Sequence, residues 1–195
     1  MRGEEVARAL ALQRCISRVT DVPGDFVECG VGRGASLVAL ILLAQAEAGR
    51  RNVWGFDSFL GFPEPTAEDA SPRQPRKGEL HFGTADQLTD QLKRSDLDAT
   101  FLRERCHLVP GFFEDTVRQF TGRIAFLHLD VDLYESYKTC LTWLFPRLEP
   151  GGIVLFDEYT DPNFPGARQA IDEFFGERVR DFEHDPFLNV RFMVK

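Results

Sequence analysis

The chain has 195 residues, of which 43% are hydrophobic and 28% charged, and these proportions are ordinary for one globular domain with a sizeable core. Its formal net charge of −8 argues against nucleic acid or an anionic membrane as the main partner. The longest apolar run is too short to span a bilayer, no signal-peptide pattern precedes it and the cysteines lack C-x-x-C spacing, so the sequence predicts a cytoplasmic protein with reduced thiols.

The first half of the chain predicts two helix–strand units. An amphipathic helix is predicted over residues 4–19, within an N-terminal segment of residues 1–22, and the strand DFVECG follows it. A glycine turn then leads into a buried helix that ends at Gly49, and NVWGFD forms the second strand. Residues 60–80 are rich in proline and poor in apolar side chains, so we expect a mobile loop that acts as a lid over a binding site.

The second half continues the alternation of helices and strands. Residues 85–105 are predicted to be helical, the strands CHLVPG, RIAFLHLD and GGIVLFDEY are each followed by a helical stretch, and the chain ends in two strands around a turn at Asp185 and Pro186. The inner strands are continuously apolar, as in a parallel sheet that is covered on both faces. Residues 1–195 therefore predict a single α/β domain with a doubly wound, Rossmann-like, mostly parallel sheet, a C-terminal antiparallel hairpin and helices on both faces.

The segment VECGVGRGAS, which joins the first strand to its helix, carries Gly30, Gly32 and Gly34. Glycines at this place let the backbone turn sharply and approach a ligand closely. Asp57 ends the second strand, where a carboxylate can accept hydrogen bonds from ribose hydroxyl groups. Because ligands of such sheets bind beyond the carboxyl ends of the strands, the pattern indicates a cofactor that contains a nucleoside. A tight turn without a ligand is the alternative.

Two patterns in the chain also occur in nicotinamide-dependent oxidoreductases. A G-x-G-x-x-A stretch begins at Gly30, and Tyr134 and Lys138 have the spacing of a dehydrogenase catalytic pair. Such dehydrogenases space their glycines differently, however, and no serine lies at a suitable distance before the tyrosine. Glu28 favours another cofactor, because a carboxylate at this strand end can bind the amino group of S-adenosylmethionine, which NAD lacks. Its alternative role is a contact with the dipole of the next helix.

Acidic residues end the two most apolar strands. Asp130 ends the fourth strand, and Asp157 and Glu158 end the fifth, which we expect to lie beside the fourth. Crowded carboxylates repel one another unless one is protonated or a cation lies among them, and all-oxygen ligation favours Mg²⁺ before other divalent ions. The alternative is that these acids cap helices or pair with arginines. Asp132 is a fourth ligand, a helix cap or a general base, and His128 is interpreted as a core histidine.

Six motifs in order along the chain resemble the macrocin O-methyltransferase family, within the class I S-adenosylmethionine-dependent methyltransferases. They lie between about Pro23 and Phe175 and read GDFVECGVGRGAS, VWGFDSFLGFPEP, LVPGFFEDT, LHLDVDLYESY, LEPGGIVLFDEY and GARQAIDEFF. The resemblance implies an enzyme that moves a methyl group from S-adenosylmethionine to a hydroxyl group of a sugar or a glycosylated natural product, with Mg²⁺ at the site. The implied partner is thus a small molecule with a sugar or diol hydroxyl.

The glycine turn and these matches together predict the site residues. The residues predicted to bind the cofactor are Glu28, Gly30, Val31, Gly32, Gly34, Ser36, Asp57, Ser58, Gly111, Phe112 and Asp130. The resemblance places the metal on Asp130, Asp157 and Glu158, and it implies that Asp132 is the general base.

The chain departs from the family pattern at three places. The family more often has Asp-Asp at the position of Asp157 and Glu158, and D-G-D is commoner than the D-V-D that begins at Asp130. The segment before the first strand is short, and relatives use a longer one in oligomer contacts, so homo-oligomerisation stays open. Three other functions also stay open: a nicotinamide-dependent oxidoreductase, a non-catalytic binder of S-adenosylmethionine, and a methyltransferase for catechol acceptors.

Overall fold

The computed structural model of the protein describes residues 3–47, 50–185 and 189–195. Within these ranges the centre is a seven-stranded sheet, whose strands are β1 (Asp25–Cys29), β2 (Val53–Asp57), β3 (Cys106–Pro110), β4 (Ile124–Leu129), β5 (Leu148–Phe156), β6 (Glu183–His184) and β7 (Arg191–Val194). They lie in the order β3–β2–β1–β4–β5–β7–β6. The first five in this order are parallel, and β7 runs antiparallel to both of its neighbours. The predicted fold class is confirmed.

Helices cover both faces of the sheet. They are α1 (Gly3–Ile16), α2 (Ala35–Ala46), α3 (Ala85–Lys93), α4 (Ala99–Arg105), α5 (Phe113–Thr116), α6 (Tyr134–Leu144) and α7 (Pro165–Phe175). Apolar side chains of α1 to α4 pack in one core, and those of α5 to α7 pack in the other. In the described part of the chain, no helix combines the length and the apolar character that crossing a membrane requires.

The inner strands are apolar on both sides because each side faces a core. Every residue of β4 is buried, and its side chains are divided between the two cores. Phe126 meets Phe26 edge to face at 6.2 Å in one core, whereas Leu127 and Val27 point into the other. Full burial of each such side chain contributes about 1.5–3 kcal/mol, so this register holds the strand ends in place.

Three predicted boundaries differ from the structure or lie outside it. The stretch 85–105 is not one helix, because the Asp98 side chain accepts a hydrogen bond from the Phe101 N–H at 2.6 Å and caps a new helix there. A side chain that caps in this way competes with continuation of the preceding helix. The predicted helix end at Gly49 and the proline of the predicted turn, Pro186, lie outside the described residues.

The proline-rich segment predicted to be a mobile lid is fastened to the body of the protein along its centre. Phe62 is buried against Phe164 with its ring edge to face, and the Arg73 guanidinium lies 4.8 Å from the Phe164 ring centre. The Ser71 hydroxyl donates a hydrogen bond to the Asn163 carbonyl at 2.8 Å. These contacts tie the segment to the chain immediately before α7.

Gly30 lies where the chain leaving β1 passes the end of β4. Its φ is +84°, a left-handed conformation that favours glycine, and a Cβ built there would overlap the carbonyl oxygen of Asp130. The neighbouring Asp130 N–H donates to the Cys29 carbonyl at 3.0 Å. Close backbone contact between the two strand ends therefore requires glycine at this position.

Substitution of Gly30 by alanine should destabilise the protein more than the same change at Gly78. Gly78 also has a left-handed φ, +79°, but open space surrounds it, so Gly78→Ala carries only the conformational cost of about 1–2 kcal/mol. Gly30→Ala should lower the free energy of unfolding by at least about 1 kcal/mol more, because the added methyl group collides with backbone. Urea denaturation of both variants measures the difference, and equal midpoints would contradict the close contact.

Candidate active site

A cavity of about 340 Å³ opens at the carboxyl ends of β1, β2 and β4, the edge at which doubly wound sheets bind ligands. The glycine turn between β1 and α2 forms one wall, and the chain that follows β4 forms another. Residues of α1, of the proline-rich segment and of the loop after β3 complete it. Both halves of the predicted site, the glycine turn and the acidic strand end, therefore face one space.

Asp57, at the end of β2, fixes the glycine turn. Its Oδ2 accepts hydrogen bonds from the N–H groups of Val31 and Gly32, both at 2.9 Å, and its Oδ1 accepts one from the Phe59 N–H at 2.7 Å. A carboxylate has about four acceptor sites, so one remains for a ligand after these three. The sequence predicts only a ligand contact for Asp57, and the structure adds this role in holding the turn.

Most of the residues predicted to bind the cofactor line the cavity. They are Gly30, Val31, Gly32, Ser36, Asp57, Ser58, Phe112 and Asp130. Gly34 and Gly111 lie outside the lining, where their left-handed φ values of +83° and +137° shape the start of α2 and the turn after β3. The glycine requirement at those two positions is therefore conformational.

Glu28 lies behind the glycine turn instead of at the cavity wall, where a contact with the cofactor amine was expected. It is fully buried, and its Oε1 lies 2.9 Å from Nδ1 of His128, the residue opposite it in the β1–β4 register. Its second oxygen has no hydrogen-bond partner among the described residues. Glu28 is thus paired with a histidine that the sequence presents as a core residue.

His128 connects this pair to the acidic strand end. Its Nε2 lies 3.8 Å from Oδ1 of Asp157. Burial lowers the pKa of His128, but the carboxylates of Asp157 and Glu28 outweigh it and raise the pKa to about 9. The imidazole is therefore held as a cation between two acids.

Asp157 and Asp130 share one guanidinium, that of Arg8 in α1. Nη1 and Nη2 of Arg8 donate to the two oxygens of Asp157 at 2.5 and 3.0 Å, and Nη1 also donates to Oδ2 of Asp130 at 3.2 Å. Burial raises the pKa of Asp157, but His128 and Arg8 reverse this and hold it below its usual value. Burial and the Asp157 charge raise the pKa of Asp130 to about 6. The sequence left pairing of these acids with arginines open as an alternative, and it did not identify Arg8 as the partner.

Glu158 has hydrogen-bond partners other than Arg8. It is buried, and its Oε2 accepts hydrogen bonds from the Tyr137 hydroxyl at 2.6 Å and from the Asp132 N–H at 3.3 Å. Burial and the neighbouring carboxylates raise its pKa well above the usual value. Among the described residues, His128, Asp130 and Asp157 form a group whose possible ligand atoms all lie within 4.8 Å of one another, and Glu158 is not part of it.

Asp132 lines the cavity and is not the cap of α6. The residue at the cap position is Leu133, and the first free N–H of the helix, that of Tyr134, donates to Oδ1 of Asp69 at 2.8 Å. The helix-cap alternative for Asp132 is thus wrong. Burial and the charges of Asp130 and its neighbours raise the pKa of Asp132 well above the usual value for an aspartate.

The sequence does not assign Asp69 a role, although it belongs to a recognisable pattern. Thr66 and Asp69 form a capping box, in which Oδ2 of Asp69 accepts from the Thr66 N–H at 2.8 Å. That pattern is local and could have been found. The second bond, to Tyr134, joins residues 65 positions apart, and only the folded chain brings them together.

Comparison with known proteins gives matches along most of the chain. The family model described as Macrocin-O-methyltransferase (TylF) matches residues 1–185. An 8-demethyl-8-(2,3-dimethoxy-alpha-L-rhamnosyl)-tetracenomycin-C 4'-O-methyltransferase of Streptomyces olivaceus is 36% identical over 170 residues, which are 85% of this chain and 64% of that protein. The mycinamicin III 3''-O-methyltransferase of Micromonospora griseorubida is 34% identical over 173 residues, which are 84% of this chain and 65% of that protein.

The fold is shared with a solved structure of similar description. The crystal structure of CalS11, calicheamicin methyltransferase, has a TM-score of 0.89 and 26% identity, and the match covers 99% of this chain and 80% of that one. The chain spans less than two thirds of the length of the two curated relatives.

Substitution of Asp69 by alanine should destabilise the start of α6. The change leaves the Tyr134 N–H without its acceptor in a buried place and removes the Thr66 bond, at a cost of about 1–3 kcal/mol in the free energy of unfolding. Asp69→Asn keeps one acceptor oxygen and should cost less. Asp96→Ala, at an exposed loop position, is the matched control, and thermal unfolding compares the three. An Asp69→Ala variant as stable as the control would show that the bonds to Tyr134 and Thr66 do not stabilise the fold.

Proposed function

Because the chain belongs to the macrocin-O-methyltransferase family, we propose that it transfers a methyl group from S-adenosylmethionine to a sugar hydroxyl group of a glycosylated natural product. The observation that carries this proposal is the shared cavity, which a glycine turn lines on one side and Asp130 and Asp132 line on another. The glycine turn is suited to a cofactor that contains a nucleoside, and the two aspartates are suited to a hydroxyl group that has to lose its proton. The sugar acceptor is supported by the activities for which the relatives are named.

The glycine turn would hold the cofactor. Gly30 and Gly32 present backbone without side chains, so the ligand can approach closely. The remaining acceptor site of Asp57 suits a ribose hydroxyl group, and Ser58 lies beside it. Phe112 offers an apolar wall for the adenine ring. Glu28 would act at a distance, through His128, because it does not reach this wall.

Asp132 is positioned to act as the general base. It lines the cavity, no helix N–H occupies its carboxylate, and its backbone N–H is held by the buried Glu158. In the reaction the hydroxyl oxygen forms a bond to the methyl carbon, the bond from that carbon to sulfur breaks with its electron pair left on sulfur, and the hydroxyl proton passes to Asp132. Holding the three reacting atoms in line supplies a large part of the rate enhancement.

Asp130 and Asp157 fit a divalent cation such as Mg²⁺. Their oxygens already converge on one positive group, and carboxylate oxygens are the ligands that hard cations prefer. When bound there, such an ion would make the acceptor hydroxyl more acidic. Glu158 was predicted as a third ligand, and its hydrogen bonds to Tyr137 and Asp132 favour a supporting role instead.

The proline-rich segment would exclude water from the reaction. Phe62 and Pro63 line the cavity from near the start of the segment, Leu80 lines it from the end, and Phe82 lines it from just beyond the end. The last two side chains are about two fifths exposed, at 41% and 43%, so closure of this end over bound ligand would bury them. Water exclusion strengthens the electrostatic contacts within the site.

The positions of Tyr134 and Lys138 weaken the oxidoreductase alternative. The Tyr134 hydroxyl donates to Glu173 at 2.7 Å, Lys138 pairs with Glu135 at 3.3 Å, and both residues lie outside the cavity lining. A catechol acceptor would present two adjacent oxygens much as a sugar diol does, so its exclusion requires an assay.

The purified protein should bind S-adenosylhomocysteine and not NAD in calorimetric titrations, because its acidic strand end and glycine turn suit a methyl donor. With S-adenosylmethionine present, mass spectrometry should detect methylation of a panel of deoxysugar glycosides and not of simple catechols. Binding of NAD alone would overturn the proposed function. Methylation of catechols alone would support the methyltransferase activity and contradict the proposed sugar acceptor.

Asp132→Asn should lower turnover by about 10²–10⁴-fold, the range expected for loss of a general base, and should leave the affinity for S-adenosylhomocysteine unchanged. Asn keeps the size of the side chain, so the effect reports proton transfer. Asp115→Asn, an exposed position on α5, is the matched control and should retain full turnover. Steady-state kinetics measures turnover, and calorimetry measures the affinity for S-adenosylhomocysteine. Normal turnover of Asp132→Asn would show that Asp132 is not the general base.

A further inference from the structure

Arg8 fills the place between the two acids that are proposed to hold a divalent cation. One of its nitrogens, Nη1, contacts both Asp130 and Asp157, and the second, Nη2, contacts Asp157 again. The Arg8 side chain is about three-quarters buried, with 23% of its surface exposed. This is a bidentate pair of the kind that arginine forms with carboxylates, with a second carboxylate added.

A guanidinium and a divalent cation cannot use these oxygens together. The guanidinium is positive, offers only donors and has no lone pair for a metal. An ion at the same oxygens would lie within a few ångströms of a positive charge and would share its ligands with hydrogen-bond donors. Occupation by Arg8 and occupation by metal therefore exclude each other.

The two halves of α1 are attached to the protein differently. Leu12, Cys15 and Ile16 are fully buried in the core, so they anchor the second half. Val6 and Leu10 are 39% and 52% exposed, so the first half has little apolar attachment. Release of Arg8 thus requires only the first two turns of the helix to separate, and the rest can stay packed.

We propose that Arg8 is a built-in competitor of the divalent cation, so that metal binds to Asp130 and Asp157 only when the first two turns of α1 release the guanidinium. This inference rests on the metal site of the proposed function, and it adds a mechanism that controls when metal binds there. Arg8 and Ala9 also line the cavity, so the same release widens the space beside Asp132. Metal binding and opening of the cavity are then one event.

The test is Mn²⁺ binding, measured by electron paramagnetic resonance on the purified chain without cofactor. Arg8→Gln should bind Mn²⁺ at least about tenfold more tightly than the wild type, because no ion pair has to be broken first. Arg8→Lys keeps the positive charge and loses the bidentate geometry of the guanidinium, so its Mn²⁺ affinity should lie between those of the wild type and Arg8→Gln. This variant also provides a second measurement if Arg8→Gln misfolds. Arg94→Gln, an exposed position with the same change in charge, should match the wild type, and Asp157→Asn should abolish binding.

Hydrogen exchange gives a second reading that does not depend on affinity. The amides of residues 7–14 donate to the carbonyls of residues 3–10, so Mn²⁺ should increase their exchange in the wild-type protein and leave residues 15 and 16 protected. Equal Mn²⁺ affinity of the wild type and Arg8→Gln, or metal binding with residues 7–14 still protected, overturns the competition while the proposed metal site stands. If no variant binds Mn²⁺, both the competition and the metal site fail, and binding of S-adenosylhomocysteine decides separately whether the methyltransferase proposal survives.

Discussion

A line of alternating charges, from the buried sheet to the cavity, is the constraint on which the site depends. It runs Glu28, His128, Asp157, Arg8 and Asp130, each within 3.8 Å of the next. A buried charge is tolerated when an opposite charge lies beside it, and the inner members of the line, His128, Asp157 and Arg8, each contact two others. The line therefore fixes the orientation of both aspartates before any ligand arrives.

Sheet topology creates this line. β1 lies between β2 and β4, so Glu28 comes opposite His128 in a parallel register. β5 lies on the other side of β4, and the Asp157 N–H donates to the Leu129 carbonyl at 3.0 Å, which brings the fifth-strand acids to the end of the fourth. The same topology sets the glycine turn beside the acids. The glycine turn, proposed to bind the cofactor, and the acidic strand end, proposed to bind the acceptor, thus share one cavity because five parallel strands end at one edge of the sheet.

The helix that follows β4 shows how another element frees a residue for chemistry. The N-terminus of α6 needs an acceptor, and the nearest acid before the helix in sequence is Asp132. Asp69 supplies the acceptor instead, from a segment that is itself tied to the start of α7 by Ser71 and Phe62. Asp132 then keeps a left-handed φ of +61° and a carboxylate directed to the cavity lining. The covering segment therefore has a structural part and an exposed end.

The sequence by itself determined the fold class, the glycine turn and the placement of acids at strand ends, because apolar periodicity and glycine are local signals. Only the tertiary structure decided the partners of those acids. Arg8 lies 122 and 149 positions from the aspartates that it pairs, and Glu28 lies 100 from His128. No local pattern encodes such pairs, because the sequence of an amphipathic helix does not show which acid its arginine contacts once the helix is packed. The predicted cation among the acids is thus, in this structure, an arginine of the chain itself.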